Sequence, residues 1–200
     1  MADTEERALI HVVDDDGDLS AAVSRLLVRN GYDAIPFVDP AAMLNHHANA
    51  PAHCIVTDVM MGDMDGFATA QRLRTIDPAA AIIFMTAWPT TANAVDAIRR
   101  YGGLDYLEKP IDEDRLLTAV AEGIAWSRRR RAAFARIASL TPRERDVLTY
   151  LAQGLSNKMV AAELGLSPKT IEDHRASIVA KTGIASAAGL IALMREVSGS

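Results

Sequence analysis

The chain has 200 residues, half of them hydrophobic, and a net charge of −5 at pH 7. This length can bury one large core or two modest ones. The single cysteine, Cys54, excludes an intramolecular disulfide and a thiolate metal site. No apolar run approaches the roughly 18 residues of a membrane span, and the opening MADTEERA is acidic, unlike a signal peptide. We therefore expect a cytoplasmic protein without a membrane partner.

The charge is distributed unevenly along the chain. Residues 1–122 contain 9 basic and 20 acidic residues, whereas residues 123–200 contain 12 basic and 6 acidic residues. An acidic half suits cations or basic surfaces, while a basic half of this size suits nucleic acid or an acidic protein. The sequence therefore predicts two domains with different partners.

Short runs typical of β-strands recur along the first half, separated by helical patterns. The strand runs are LIHVV, YDAIPFV, CIVT, AIIFMT and YLE, and the helical patterns include LSAAVSRLLVRNG and GFATAQRLRTIDP. This alternation predicts an α/β fold with a doubly wound, five-stranded parallel sheet and right-handed crossovers. In such a sheet, sites form at the carboxyl ends of the strands.

Charged and hydroxyl side chains stand where four of the predicted strands end. These residues are Asp14, Asp15 and Asp16 after the first strand, Asp58 after the third, Thr86 after the fourth and Lys109 after the fifth. A divalent cation between Asp15 and Asp58 would offset carboxylate repulsion, and the hydroxyl and ammonium groups could hold a phosphoryl group beside it. Each residue alone also fits a turn, cap or strand role. Agreement among four strand ends favours one shared site.

The stretches VVDDD, VTDVMMGDMDG, MTA and YLEKP resemble the signature of bacterial response-regulator receiver domains, over about residues 8 to 124. The resemblance implies a flavodoxin-like fold and a phosphoacceptor at Asp58 that a sensor histidine kinase phosphorylates. It implies Mg²⁺ as the cofactor, with Asp16 a spectator. The implied ligands are Asp15, Asp58, the backbone carbonyl of Met60 and, through water, Asp14; Thr86 and Lys109 would contact the phosphoryl group, and Tyr106 would be the aromatic switch.

The chemistry of Asp58 agrees with this resemblance. A carboxylate attacks a phosphoryl donor when a cation screens both charges, and the aspartyl phosphate later hydrolyses. We therefore expect slow self-dephosphorylation rather than an enzyme. A phosphatase of the haloacid dehalogenase kind is the alternative, but it needs an acid where Met60 stands. Gly62 replaces the usual proline and Trp88–Pro89 the usual small residues, departures that bear on the rate and lifetime of phosphorylation.

The junction between the halves has a helical pattern. In DEDRLLTAVAEGIAWSRRRRAAFARIASL, apolar residues recur at helical spacing, so a helix should continue out of the first domain. The arginines at 128–131 fit either a nucleic-acid contact or a solvated linker, and we favour the linker. The predicted domains are a receiver at 1–124, a helical linker at 125–138 and an output domain at 139–200.

The second half carries strong helix-start signals. Thr141, Pro142 and Glu144 form a capping box, which predicts a helix. A second helix follows Ser156 and ends at Gly165, a third begins at 167–168, and the last runs near 186–195. The short link GLS between the second and third helices predicts a helix-turn-helix. A small helical bundle that binds no DNA has the same spacing.

The stretch LTPRERDVLTYLAQGLSNKMVAAELGLSPKTIEDHRASIVAKTG resembles the LuxR or FixJ type of output domain, over about residues 139 to 196. A receiver followed by this domain is the arrangement of FixJ-type transcription regulators. The resemblance implies promoter DNA as a partner, RNA polymerase as a further partner, and a homodimer on phosphorylation or DNA binding. An RNA-binding antiterminator is an alternative that the capped helix-turn-helix disfavours.

The reading helix offers candidates for contact with DNA. If Ile171 and Ile178 face the core, the opposite stripe holds Lys169, Glu172, Asp173 and Ala176. Lysines suit phosphates, whereas a carboxylate suits the amino group of a base. The two acids also fit a solvated or capped first turn, and the acid at 173 departs from the family pattern. The candidate set is Lys158, Lys169, Thr170, Glu172, Asp173, His174, Arg175, Ala176 and Lys181.

Overall fold

The computed structural model describes residues 7–198. Contacts among Cα atoms divide the chain into two units, Met1–Arg128 and Arg129–Ser200. The division falls inside the segment predicted as a linker.

The first unit is a five-stranded parallel sheet with helices on both faces. The strands are β1 (Leu9–Val13), β2 (Asp33–Phe37), β3 (Cys54–Asp58), β4 (Ala81–Thr86) and β5 (Asp105–Glu108), in the order β2-β1-β3-β4-β5. The helices are α1 (Gly17–Arg29), α2 (Pro40–Asn49), α3 (Gly66–Ile76), α4 (Thr91–Arg99) and α5 (Glu113–Ala138). The α/β prediction is confirmed, and its strand runs agree with these bounds within one or two residues.

Two apolar layers cover the sheet because its central strands are buried on both faces. On one face Val12 packs with Leu27 of α1 and Leu116 of α5. On the other, Ile55 packs with Leu73 of α3, in a cluster that α2 and α4 also join. All strands run parallel, so their carboxyl ends lie along one edge of the sheet.

The helix starts of this unit are fixed by side-chain caps. Asp16 has extended backbone geometry and accepts hydrogen bonds from the amides of Asp18 and Leu19 at 3.0 and 3.1 Å. Asp39 caps α2 and Asp65 caps α3 in the same way. The third aspartate of the DDD run is therefore the N-cap of α1.

The second unit contains a helix-turn-helix. Its helices are α6 (Pro142–Ala152), α7 (Asn157–Leu164), α8 (Pro168–Thr182) and α9 (Ala187–Ser198). The capping box of Thr141 and Glu144 is confirmed, as are the end of α7 at Gly165 and the start of α8 after Ser167; Gly165 has a left-handed backbone (φ 64°). Within residues 7–198 no single helix is long and apolar enough to cross a membrane; α8 and α9 pass on length and composition only as a bent pair.

The last turns of α5 pack inside the second unit. Ala133 is buried in its core, and Arg130, only 7% exposed, donates hydrogen bonds to the backbone carbonyls of Glu196 and Val197, the latter at 3.0 Å. Carbonyls in the last turn of a helix have no intrahelical partner, so Arg130 satisfies the end of α9. This member of the arginine run is thus a buried cap, while Arg129 lies 3.8 Å from the Glu196 carboxylate.

A cluster of histidine rings fills part of the first unit beside β1. His11 is fully buried, and its ring centroid lies 5.1 Å from that of Phe37, 5.2 Å from His46 and 5.4 Å from His47. Neither ring nitrogen of His11 has a hydrogen-bond partner among the described residues. Burial, together with repulsion from His47 and His46, lowers the pKa of His11 from 6.5 to about 3. His11 is therefore neutral at physiological pH and packs as an aromatic ring.

We expect the first unit to lose stability as the pH falls from 6.5 towards 3. Above pH 6.5 His11 is neutral in the folded and unfolded chains, whereas below it the unfolded chain binds a proton that the buried ring does not. The loss at pH 5 relative to pH 8 should be about 1 to 2 kcal/mol, and His11→Leu should abolish it. Guanidinium unfolding, followed by tryptophan fluorescence at both pH values, measures it. Equal pH dependence in the wild type and the variant would contradict this role of His11.

Candidate functional site

Three carboxylates meet at the carboxyl edge of the sheet. Asp14 and Asp15 follow β1, Asp58 ends β3, and one oxygen from each lies within 4.8 Å of the other two. Asp14 and Asp58 are 1% and 5% exposed, whereas Asp15 is exposed. Magnesium and calcium prefer such clusters of carboxylate oxygens, so the residues present fit a hard divalent cation.

The Lys109 ammonium lies between two of these carboxylates. Its Nζ is 2.7 Å from Oδ2 of Asp14 and 3.1 Å from Oδ1 of Asp58. Burial works against the charged amine, but the hydrogen bonds to Asp14 and Asp58 outweigh it and raise the pKa of Lys109. Burial raises the pKa of Asp58, although the bonds from Lys109 oppose that effect. The peptide bond that follows, between Lys109 and Pro110, is cis.

Two further groups orient the site. Thr86, at the end of β4, is buried, and its hydroxyl oxygen accepts a hydrogen bond from the backbone amide of Trp88 at 3.1 Å. The amide of Val59 donates to Oδ1 of Asp58 at 2.9 Å. The Thr86 oxygen therefore acts as an acceptor here, and its hydroxyl proton is the part that can donate to another group.

Gly66 is a residue of the site that the sequence reasoning missed. A Cβ at this position would stand 2.2 Å from the backbone oxygen of Asp58, and the Gly66 amide donates to the carbonyl of Val59 at 3.0 Å. Only glycine allows α3 to start this close to the strand that carries Asp58. The signal for it in the sequence was the pair Asp65–Gly66, which follows an aspartate-rich loop. Gly62, by contrast, has open space around it in the described chain.

The remaining predicted receiver residues lie on β5 and in the loop after β3. Tyr106 pairs in register with Phe84, two positions before Thr86, and its hydroxyl is buried without a hydrogen-bond partner among the described residues. Met60, in the loop after β3, has an exposed side chain, and Trp88 is 74% exposed. Two large apolar side chains therefore face solvent in loops that adjoin the site.

The reading helix α8 presents the predicted stripe to solvent. Ile171 and Ile178 are fully buried, as predicted. Among the candidate residues, Lys158 of α7 and Lys169, Glu172, Asp173 and Ala176 of α8 are exposed, and Thr170, His174 and Arg175 are half-buried. The helix-turn-helix therefore leaves one polar face open.

Ion pairs and hydrogen bonds already engage several of these groups. Lys169 lies 3.2 Å from Asp173 and 3.6 Å from Glu172, so lysine and acids form one exposed group. The Lys181 ammonium is 2.7 Å from the buried carboxylate of Glu144 on α6. Lys181, expected to contact phosphate, thus has a partner inside the protein that helix spacing did not reveal.

A carboxylate cluster with a bound lysine at the edge of a parallel sheet, in one chain with a helix-turn-helix, fits a phosphoacceptor domain joined to a DNA-binding domain. The chain belongs to the response regulators. It matches the family described as "Response regulator receiver domain" over residues 10–121 and that described as "Bacterial regulatory proteins, luxR family" over residues 138–194. It is a two-component response regulator, phosphorylated on an aspartate by a histidine kinase, that acts as a DNA-binding transcription regulator.

Several known proteins are similar to this chain along its length. The transcriptional regulatory protein FixJ of Bradyrhizobium diazoefficiens is 34% identical over 191 residues, which cover 92% of this chain and 93% of FixJ. The structure of the response regulator StyR has a TM-score of 0.57 at 31% identity, covering 96% of this chain and 100% of StyR. That of full-length FixJ from B. japonicum has a TM-score of 0.53 at 33% identity, covering 96% and 98%.

Removing the lysine should destabilise the first unit most when no metal is present. In Lys109→Met, two carboxylates lose their shared cation, and we expect a loss of about 2 to 3 kcal/mol, below the range for fully buried pairs because Asp15 opens the site to water. Excess Mg²⁺ should recover much of this loss. Thermal unfolding in EDTA and in Mg²⁺ measures both effects, with Arg99→Met, an exposed cation of α4, as the control. Equal stability of the two variants in EDTA would contradict the role of Lys109.

Proposed function

We propose that Asp58 is the aspartate that receives the phosphoryl group. The observation that carries the proposal is the convergence of Asp14, Asp15 and Lys109 on the Asp58 carboxylate. A carboxylate among cations is a competent nucleophile towards a phosphoryl donor. The amide of Val59 and the ammonium of Lys109 both bind Oδ1, so we assign Oδ2 to the bond with phosphorus.

We propose Mg²⁺ as the cofactor of this step. Asp15, Asp58 and the backbone carbonyl of Met60 would hold it directly, and Asp14 through water. When bound, Mg²⁺ screens the charge of the carboxylates and of the incoming phosphoryl group. The hydroxyl proton of Thr86 and the ammonium of Lys109 bind the phosphoryl oxygens. To do so, Lys109 exchanges one of its two carboxylate partners for a phosphoryl oxygen.

We propose Tyr106 as the switch residue. Its hydroxyl is buried without a partner among the described residues, an unfavourable state that a change of rotamer relieves. The ring adjoins Phe84 in the sheet, on the strand that ends in Thr86. A shift of Thr86 towards the phosphoryl group opens space in which the ring can turn, and the surface near β5 changes with it.

The remaining proposals concern where the chain acts, how it loses the phosphoryl group, and its dimer and output partners. The chain acts in the cytoplasm, loses its phosphoryl group by slow self-hydrolysis, and has no other enzymatic activity. Phosphorylation or DNA binding favours a homodimer, because two linked reading helices bind a symmetric operator far better than one. Promoter DNA and RNA polymerase are the output partners. The match to the luxR family favours DNA over the RNA-binding alternative.

We propose that α8 enters the major groove. Contacts with phosphates set affinity without choosing sequence, and we assign them to Lys158, Lys169, Thr170, His174 and Arg175. The exposed acids are repelled by phosphates and are suited to a cytosine amino group. Ala176 lies on the same exposed face and permits close approach. The pairing of Lys169 with both acids holds the three groups together on one turn of α8.

Incubation with a small phosphodonor and Mg²⁺ should give an acid-stable, alkali-labile adduct, because hydroxide cleaves an acyl phosphate. Asp58→Asn should abolish the adduct, and Asp15→Ala should reduce Mg²⁺ affinity and labelling together. Asp16→Ala is the matched control, because it removes a helix cap worth about 1 kcal/mol of stability and no proposed ligand. Phosphate-affinity gels and mass spectrometry measure the label. Labelling of the Asn variant at the wild-type level, or equal losses at both neighbouring aspartates, would count against the assignment.

Glu172→Ala should relax base preference at one or two operator positions, since a base contact is worth about 1 to 3 kcal/mol of discrimination. Lys169→Ala should weaken binding to all duplexes alike and reduce the salt dependence by about one charge. Selection from randomised duplexes measures preference, and titration at several salt concentrations measures the charge. The base preference of Asp173→Ala is measured beside that of Glu172→Ala. Unchanged preference in both acid variants would exclude base reading by this pair.

A further inference from the structure

Glu144 lies on α6, but most of its side-chain contacts are with α8. It is 4% exposed, and its carboxylate accepts hydrogen bonds from the amide of Thr141, the hydroxyl of Ser177 and, at 2.9 and 2.7 Å, from Lys181 to both oxygens. The bonds from Lys181, Ser177 and Thr141 hold the pKa of Glu144 at about 2. This carboxylate is therefore charged throughout the physiological range, and it depends on its partners because it is buried.

The contacts of Glu144 lie on one flank of α8. Ser177 and Lys181 are four residues apart, so they stand one above the other beside the apolar stripe. On the other flank, the Arg175 guanidinium is 3.5 Å from the side-chain oxygen of Asn157 on α7. At about 100° per residue, these flanks lie on opposite sides of the stripe. Polar contacts on both flanks restrict rotation of α8 about its own axis.

Lys181 is poorly suited to bind a DNA phosphate while it is paired with Glu144. Its ammonium neutralises Glu144, and its side chain is 34% exposed. Moving that ammonium to a phosphate would leave a buried carboxylate without its counter-ion, which is strongly unfavourable. The exposed Lys158 has no such partner among the described contacts. The two lysines should therefore behave differently when DNA binds.

We infer that Glu144 is a positioning residue for base reading, acting through Ser177 and Lys181 to set the rotation of α8, and that Lys181 serves this contact rather than a phosphate. The inference rests on the proposed DNA-binding function. Hydrogen bonds to base edges require donor–acceptor distances near 3 Å, whereas attraction to phosphates tolerates displacement. Loss of the contact should therefore reduce discrimination between sequences more than it reduces binding to DNA in general.

The test uses the full-length protein in four variants: Lys181→Met, Glu144→Gln, the double variant, and Lys158→Met as the matched lysine control. The probes are a duplex enriched from a random pool by the wild type and a random-sequence duplex. Lys181→Met should leave the salt dependence unchanged, whereas Lys158→Met should reduce it by about one charge. Lys181→Met and Glu144→Gln should each lower the ratio of enriched to random affinity about tenfold, the size of one lost base contact.

The double variant keeps the test valid if an unpaired charge unfolds a single variant, because it removes both charges together. If Glu144 and Lys181 have only a structural role, their loss lowers the folded fraction. The affinities for the enriched and the random duplex then fall by the same factor, and their ratio does not change. An unchanged ratio in the double variant therefore overturns the inference, as does a salt dependence that falls in Lys181→Met as much as in Lys158→Met. The selection with the wild type is done first. If the wild type enriches no duplex, the DNA-binding function itself is contradicted, whatever the variants would show.

Discussion

The Lys109 ammonium makes the rest of the first unit's site possible. Parallel strands bring Asp14 and Asp58 to neighbouring ends of the sheet, where their charges repel each other with little water between them. Lys109 follows β5, with β4 lying between it and β3, so only a long side chain reaches both carboxylates. Thr86, at the end of β4, is short enough to leave that path open. The position of each residue thus follows from strand order and side-chain length.

The degree of hydrogen bonding distinguishes buried polar groups that support the fold from those open to a ligand. Glu144 is saturated by donors from the N-cap of its own helix and from α8, and a saturated carboxylate has no capacity left for a ligand. His11 is tolerated by remaining neutral among other rings. The carboxylates near Asp58 differ from both, because Asp15 faces solvent and one lysine is shared between Asp14 and Asp58. Unused acceptor capacity of this kind is what the proposed binding of a cation and a phosphoryl group would require.

Much of this arrangement could be predicted from the sequence, for a geometric reason. Parallel strands end along one edge, so reading the residue after each apolar run places Asp15, Asp58 and Lys109 together. Helix caps are equally local, and the capping box at Thr141 needed no tertiary information. The contact between Glu144 and Lys181 could not be found this way, because it depends on how α6 crosses α8. The requirement for glycine at position 66 was missed for the same reason, because it arises from the close approach of α3 to the backbone of β3.

The buried arginine at the end of α5 constrains how this sequence can change over evolutionary time. Arg130 donates to main-chain carbonyls, so its contact survives any substitution at positions 196 and 197 that keeps α9 helical. Arg130 itself has no equivalent replacement, because a lysine offers one ammonium where a planar guanidinium reaches two carbonyls. Among homologues that share this packing, position 130 should vary less than the exposed positions 128 and 129. A run that looks like uniform positive charge therefore includes a residue with a buried, structural role.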